Sequence, residues 1–476
     1  MFLKDGRSRL PPGTNFEFTL PPLLPKCKGM RVNKVTTGFL LGLAPLFWSD
    51  LARAQTDPTP PVVAQASPSA LEDLKSYMER TFTIEGSLRA RWEATQGSNF
   101  SVTPSDSYML TRIRLGLGFA PTPWLRFFGE AMDARAEFYK VTPPSSVDDP
   151  IDWRQGWVEA GKLEGNGVRV RFGRQELQLG SGRLIGNPDW SNVGKSYDIV
   201  RGTITAPGFT ADVLAGSPLL VDTTRMDRSK PGEHFYVDYN TFGRLIKNAK
   251  VEPYFIARTA LNVKGKNGVL GTEETLIGGL RVIGKLPFGF DYSGEGVREG
   301  GHYSADTVQA FAYVADAGWT TPTMPWNLHP NTGYIGASGD DGRKDGYHQA
   351  FDGLYGLNQP MNSLTGLFGW RNLAEWHAGA DFSPRKNLVV KVDYRDYWLA
   401  TLADGLYNAS AVRTVFDAKA TSGHVGSGLD TQFTTTFAKK NIVGIGVGFL
   451  TPGSYLKQAG KTSGFVYPYL SYTRVL

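Results

Sequence analysis

Residues 84–93 read IEGSLRARWE, and residues 111–119 read TRIRLGLGF. In the first stretch Ile84, Gly86, Leu88, Ala90 and Trp92 fall on one face, and Glu85, Ser87, Arg89, Arg91 and Glu93 on the other. In the second, Ile113, Leu115, Leu117 and Phe119 oppose Arg112, Arg114, Gly116 and Gly118. A period of two is the signature of a strand with unlike environments on its two sides. VRVRF at 168–172 repeats it, and NIVGIGVGFL at 441–450 sets Val443, Ile445, Val447 and Phe449 against three glycines. No long stretch shows a helical period, and no run resembles a transmembrane helix.

About 18 such segments follow one another from Phe82 to the end, near 82–94, 108–120, 123–137, 152–162, 167–175, 195–206, 209–218, 233–245, 249–262, 273–285, 288–298, 305–318, 326–339, 371–382, 387–400, 423–437, 440–450 and 463–475. The breaks between them alternate in length. Those after even-numbered segments are short, such as PTP at 121–123, APG at 206–208, LPFG at 286–289 and AKKN at 438–441. Those after odd-numbered segments are expected to be long, including 176–194, 219–232 and 340–370. Lipid offers no partners to backbone N–H and C=O groups, so a sheet that crosses a membrane must close on itself. Short turns on one rim and long loops on the other then mark the periplasmic and extracellular ends of an outer-membrane barrel. The expected fold is all-β: a transmembrane antiparallel β-barrel of about 18 strands over 81–476. Trp92, Tyr108, Phe119, Trp124, Phe127, Trp319, Trp326, Phe382, Tyr397 and Trp398 lie near segment ends, where interfacial girdles belong. Soluble sandwiches, propellers and β-helices also alternate, but no blade or solenoid repeat is present.

The first 54 residues are a leader. From Met30, Arg31 and Lys34 precede an apolar run and an Ala-x-Ala end at Ala52 and Ala54, the three regions of a secretory signal. The apolar run is too short to span a bilayer. Translation is expected to start at Met30, with cleavage after Ala54. Residues 55–80 are a periplasmic Pro/Ala-rich tether with a short helical piece at 70–80. The only cysteine, Cys27, goes with the leader, leaving no disulfide and no thiolate metal site. The leader takes eight basic and three acidic residues with it; 43 Lys/Arg then face 42 Asp/Glu, so the formal charge falls from +6 to +1. The basic character of the whole chain is therefore no argument for nucleic acid.

Between segments 5 and 6 the chain reads GRQELQLGSGRLIGNPDWSNVGKSYDIVRGTI from Gly173. This stretch resembles the central signature of the alginate export family of outer-membrane barrels. Gly173, Arg174, Gln175, Gly180, Arg183, Leu184, Asp189, Trp190, Asn192, Asp198 and Arg201 match it in order, and GGLRVIG at 278–284 and LDTQF at 429–433 add further likeness. The resemblance spans nearly all of 80–476. It implies about 18 strands and a channel that passes an anionic polysaccharide, alginate-like, outward with a periplasmic export scaffold as partner.

The residues agree in kind. Arg89, Arg91, Arg112, Arg114, Arg169 and Arg171 face inward, and Arg174, Arg183 and Arg201 join them as lumen candidates. Arg meets carboxylates in a bidentate fork and keeps its charge when desolvated. A series of weak sites lets an acidic chain or another acidic solute enter and leave. Strict alternation aims Arg174 at lipid, so its place in the lumen requires a bulge at Gly173. Glu85, Glu93, Glu130, Glu159, Glu176, Asp189, Asp198 and Asp430 offer those arginines partners, which makes a scaffold of ion pairs the competing reading. Loop 176–194 is expected to fold back and narrow the pore, with Glu130, Asp189, Trp190, Asn192 and Asp198 at the constriction and its clasp. Asp189 and Asp198 are expected to pair with Arg174, Arg183 or Arg201, and Trp190 to anchor the loop by burial. The turn at 438–441 is too short to plug a pore, and nothing identifies alginate, so a nutrient-uptake porin for small solutes stands as the alternative. The six histidines show no metal spacing and no catalytic constellation is present, so neither enzyme, metal nor cofactor is expected. The barrel is expected to be a monomer in outer-membrane lipid.

Overall fold

The computed structural model describes residues 68–102, 105–320, 323–357 and 363–476. The expected leader, its expected cleavage site and the expected tether up to residue 67 lie outside the described residues. A helix, α1 (Pro68–Thr81), leads directly into the first strand. Among the described residues no helix is long and apolar enough to cross a membrane.

Eighteen antiparallel strands form the wall: β1 (Phe82–Thr95), β2 (Asp106–Thr122), β3 (Leu125–Glu137), β4 (Asp149–Gly161), β5 (Gly167–Gln175), β6 (Tyr197–Ala206), β7 (Phe209–Leu220), β8 (Glu233–Phe242), β9 (Ala249–Lys264), β10 (Leu270–Lys285), β11 (Phe290–Tyr303), β12 (Asp306–Trp319), β13 (His329–Ala337), β14 (Leu373–Arg385), β15 (Leu388–Trp398), β16 (His424–Phe437), β17 (Asn441–Pro452) and β18 (Phe465–Val475). The last pairs with the first, Ser87 opposite Val475 through Glu93 opposite Tyr469, and this closes the sheet. Closure gives every wall strand two partners, as hydrocarbon requires.

The environments are inverted relative to a soluble protein. Ile84, Leu88, Ile113, Leu115 and Leu117 are exposed on the outer face, whereas Arg89, Arg91 and Arg112 are buried inside. Lipid, not water, meets those apolar side chains. Phe82, Phe119 and Phe127 stack in a row beside the β2–β3 turn, and Phe290 stacks on Trp319 farther round the same rim, so the periplasmic girdle is continuous over several strands. Tyr108 and Tyr397 do not belong to a girdle: both are buried inward, and Tyr108 donates to Glu93 Oε2 at 2.8 Å.

The outer connections are less uniform than the alternation of lengths suggests. Those at 265–269 and 304–305 are tight turns, while L2 (138–148), L3 (176–196), L4 (221–232), L7 (338–372) and L8 (399–423) are long. The long ones fill the barrel. Leu177, Leu179, Leu184 and Ile185 of L3 and Phe351 and Trp370 of L7 form one apolar cluster with inward residues of the wall, among them Tyr197, Phe235, Ile256, Ile277 and Ile335. A second cluster joins Leu406 and Val415 of L8 to Leu364, Phe368, Tyr397 and Tyr455.

Candidate functional site

The site begins with two cross-strand arginines. Arg89 of β1 and Arg112 of β2 stand directly opposite each other on the inner face. Like charges so placed repel unless something answers them. L3 answers. Arg112 Nη2 donates to Asp189 Oδ1 at 2.6 Å, and Arg89 Nη1 donates to the Asp189 carbonyl at 2.6 Å. Arg89 Nη2 also reaches the Ser191 carbonyl at 3.0 Å and Asn192 Oδ1 at 3.2 Å. Asn192, wholly buried, donates from Nδ2 to the carbonyls of Thr111, Arg135 and Val147 at 3.0, 3.2 and 2.9 Å. Arg114 bridges Glu130 on β3 (2.6 Å) and Glu176 at the start of L3 (2.8 Å). Burial alone would raise the Asp189 carboxyl, but the guanidiniums of Arg112, Arg89 and Arg114 hold it well below the ordinary range. Trp190 is buried edge-on against Tyr469, with the Arg91 guanidinium 4.4 Å above its ring.

Past this anchor L3 crosses the lumen. Its turn depends on Gly180 and Gly182, both with positive φ (52° and 80°), which side chains on ordinary residues resist. Beyond the turn L3 meets L7 edge to edge. Tyr355 N donates to the Leu184 carbonyl at 2.9 Å and Gly186 N to the Tyr355 carbonyl at 3.4 Å, a single parallel bridge, and Leu357 N donates to the Gly182 carbonyl at 2.9 Å. The approach is so close that a Cβ on Gly356 would lie 1.8 Å from the Arg183 carbonyl. Lys195 Nζ donates to the Gly356 carbonyl at 3.1 Å, and its burial lowers its pKa to about 8. Arg258 of β9, on the far wall, and Arg371, at the end of L7 itself, hold Asp352 of L7 at 3.0 and 3.6 Å.

A second set of arginines stays open. Arg169 and Arg171 of β5 share Glu159 at 3.6 and 3.0 Å, and Arg201 of β6 pairs with Asp212 at 2.8 Å. The Arg171 guanidinium lies 3.9 Å over the ring of Trp157. These side chains keep 23–28% of their surface exposed.

Of the candidates named from the sequence, Arg89, Arg91, Arg112, Arg114, Glu130, Asp189, Trp190 and Asn192 converge at the L3 anchor. Arg169, Arg171 and Arg201 line the lumen nearer the periplasm. Arg183 sits in L3, 3.9 Å from Asp316 and 5.9 Å from the Trp370 ring centre. Arg174 and Asp198 are elsewhere. The register of β5 against both neighbours runs through Gly173 without a shift, so no bulge turns Arg174 inward. It follows Val168, Val170 and Phe172 on the outer face, pairs with Asp198 at 3.0 Å, and is covered by L4 through the Asp227 carbonyl at 2.9 Å. The expected partners therefore change: Asp189 pairs with Arg112, Arg89 and, at 4.0 Å, Arg114, whereas Asp198 keeps Arg174.

Arg154 is the residue that alternation misses. The register of β3 against β4 slips between Glu130–Gln155 and Ala131–Trp153, which leaves Arg154 as an extra residue. Such a bulge re-aims a side chain. Arg154 turns inward, donating to Glu176 at 2.9 Å and to the Lys195 carbonyl at 2.6 Å, and so pins both ends of L3.

A closed 18-stranded wall with an apolar belt and a polar, loop-filled lumen defines an outer-membrane β-barrel channel. The chain belongs to the alginate export family, whose model matches residues 80–466. Solved structures share the fold at low identity. OpdK of Pseudomonas aeruginosa, crystallised with vanillate, superposes with a TM-score of 0.55 at 10% identity, over 83% of this chain and 98% of that one. OpdQ of the same organism gives 0.54 at 12% identity, over 83% and 97%, and OpdO gives 0.55 at 10%, over 83% and 97%. No curated protein matches the sequence.

Proposed function

We propose that this channel is selective for small acidic solutes and that L3 is its filter. The observation that carries this is the double attachment of L3: to the β1–β2 arginines on one side and to L7 on the other, which places a fixed bar across the lumen. Acidic selectivity is supported by the cations on either side of the bar. Arg169, Arg171 and Arg201 remain part-open below it, and above it a cavity of about 170 Å³ is lined by Arg154, Lys195, Lys230, Tyr197 and Tyr355. A guanidinium already bound to one carboxylate still presents further N–H groups, so paired arginines can hand a carboxylate onward without binding it tightly.

Family membership favours a second reading, the passage of an acidic polysaccharide. That requires L3 and L7 to part. The two readings separate in proteoliposomes. Glucuronate is expected to equilibrate while an oligouronate of about ten sugars, long relative to a fixed constriction, is retained. Equal passage of both would replace the small-solute reading by the polymer one. Equal passage of glucuronate and neutral glucose would remove the acidic preference.

A further inference from the structure

At the outer end of the wall, three aspartates from two separate segments face one another. Asp149 opens β4, Asp152 follows on the same strand, and Asp227 descends from L4. One carboxylate oxygen of each lies within 4.8 Å of one of each other. Asp149 and Asp152 are only 2% and 4% exposed. Asp152 accepts the Asp227 backbone N–H, which fixes L4 over the strand, and Asp227 Oδ1 accepts the Asp222 N–H at 2.9 Å.

Asp149 stands apart. Its Oδ1 is buried with no hydrogen-bond partner at all. Among the described residues neither Asp149 nor Asp227 has an ion pair, and Asp152 has only the Arg174 Nη1 at 3.6 Å. The nearby guanidiniums are committed. Arg174 serves Asp198 and the carbonyls of Trp153 and Asp227. Arg154 serves Glu176, Asn187 and the Lys195 carbonyl. A buried carboxylate with neither proton donor nor counter-charge is costly, and the remedies are a proton, a paired charge or a metal.

We propose that Asp149, Asp152 and Asp227 form a calcium site that ties L4 to the outer end of β4. The donors are all hard oxygens, with no His or Cys among them, which selects Ca²⁺ or Mg²⁺ over transition metals. Calcium bonds at about 2.3–2.6 Å accommodate oxygens up to roughly 5 Å apart around one ion, whereas Mg²⁺ demands a tighter octahedron at about 2.1 Å. Asp227 also lines the cavity that holds Arg154 and Lys195, but the site takes no ligand from L3 and does not depend on which solute the channel passes. Its role is to hold L4 down over the outer-face pair Arg174–Asp198.

The test uses the full barrel refolded into detergent free of lipopolysaccharide, whose phosphates also bind calcium, and stripped with EDTA. Calorimetric titration with CaCl₂ is expected to show one saturable site. MgCl₂ is expected to bind at least tenfold more weakly. Tb³⁺ bound there is expected to luminesce on tryptophan excitation, through neighbouring Trp153, and to be displaced by Ca²⁺. Asp149→Asn and Asp227→Asn are each expected to weaken calcium binding at least tenfold, while Asp341→Asn in L7 leaves it unchanged. Absence of a stoichiometric calcium site in the wild-type barrel would overturn the proposal, whatever the variants do. So would unaltered affinity in Asp149→Asn and Asp227→Asn barrels that migrate as folded on unheated gels.

Discussion

Two sets of arginines arise from one sequence pattern and meet opposite fates. RAR on β1 and RIR on β2 put Arg89, Arg91 and Arg112 on the inner face; VRVR on β5 and the opposing β6 put Arg169, Arg171 and Arg201 on the same face. The first three side chains are 2–6% exposed, and the hydrogen bonds they donate go to L3 and to Glu93. The second three are 23–28% exposed and meet wall residues, the carboxylates of Glu159 and Asp212 and the Trp157 ring. The difference lies in what covers them. L3 lands on β1 and β2 because Asp189 and Asn192 complement a pair of facing guanidiniums, and among the described residues no loop side chain pairs with Arg169, Arg171 or Arg201. An inward arginine is therefore a loop anchor in one sector and part of the permeation path in another.

Breaking the anchor is expected to have the largest effect. Asp189→Ala removes the carboxylate that Arg112 donates to and leaves two buried guanidiniums face to face. Each charge-assisted bond lost is worth roughly 1.5–3 kcal/mol, set against an 18-stranded wall that does not need it. The barrel is expected to fold and stay heat-modifiable on gels, while L3 becomes sensitive to added protease. Protection equal to wild type would show that L7 alone holds L3.

Next comes the open set. Arg169→Gln, Arg171→Gln and Arg201→Gln combined are expected to leave L3 protected but to move the reversal potential in a KCl gradient toward cation selectivity. The same triple change placed at Arg89, Arg91 and Arg112 is expected to disturb L3 first. If both triples shift selectivity equally with L3 intact, the distinction between the two sectors fails.

The acid and alkaline limbs sharpen the comparison. The Asp189 carboxyl is depressed in the folded chain, so its stabilising pairing is complete above its unfolded value of about 4 and fades only as pH falls below that. The anchor is thus expected to be unchanged between pH 5 and 8 within the precision set by that value. Lys195 behaves otherwise. Burial brings it to about 8, so it loses its charge as pH rises through that value. Anion selectivity is expected to decline from pH 7 to 9, on the order of one unit either side of that titration, and Lys195→Met is expected to abolish the decline. The smallest effect is reserved for Arg174→Ala. Lying on the outer face, it is expected to leave selectivity alone and to cost L4 no more than about 1 kcal/mol of docking, the range of a part-exposed pair.

The wall was legible in the sequence because lipid enforces a strict period of two. All eighteen strands coincide with segments that alternate, and even Arg174 follows the alternation rather than the assumed bulge. The loops were legible only in part. Asp189, Trp190 and Asn192 could be singled out within L3, but their partners could not, since Arg89 and Arg112 are some hundred and some eighty residues away along the chain and loop contacts have no period. Arg154 was hidden by a real bulge in β4, where the alternation changes phase between Trp153 and Gln155. The Asp149–Asp152–Asp227 cluster was invisible because it joins the start of β4 to L4, some seventy-five residues further along the chain.

The most direct test of the account removes residues 180–190, the part of L3 that crosses the lumen and carries Asp189, and reads single-channel conductance in a planar bilayer. The account predicts a folded barrel whose conductance rises several-fold and whose anion selectivity weakens but persists through Arg169, Arg171 and Arg201. A folded barrel with wild-type conductance and selectivity would contradict it, because L3 would then be a structural clasp and the filter would lie elsewhere in the lumen.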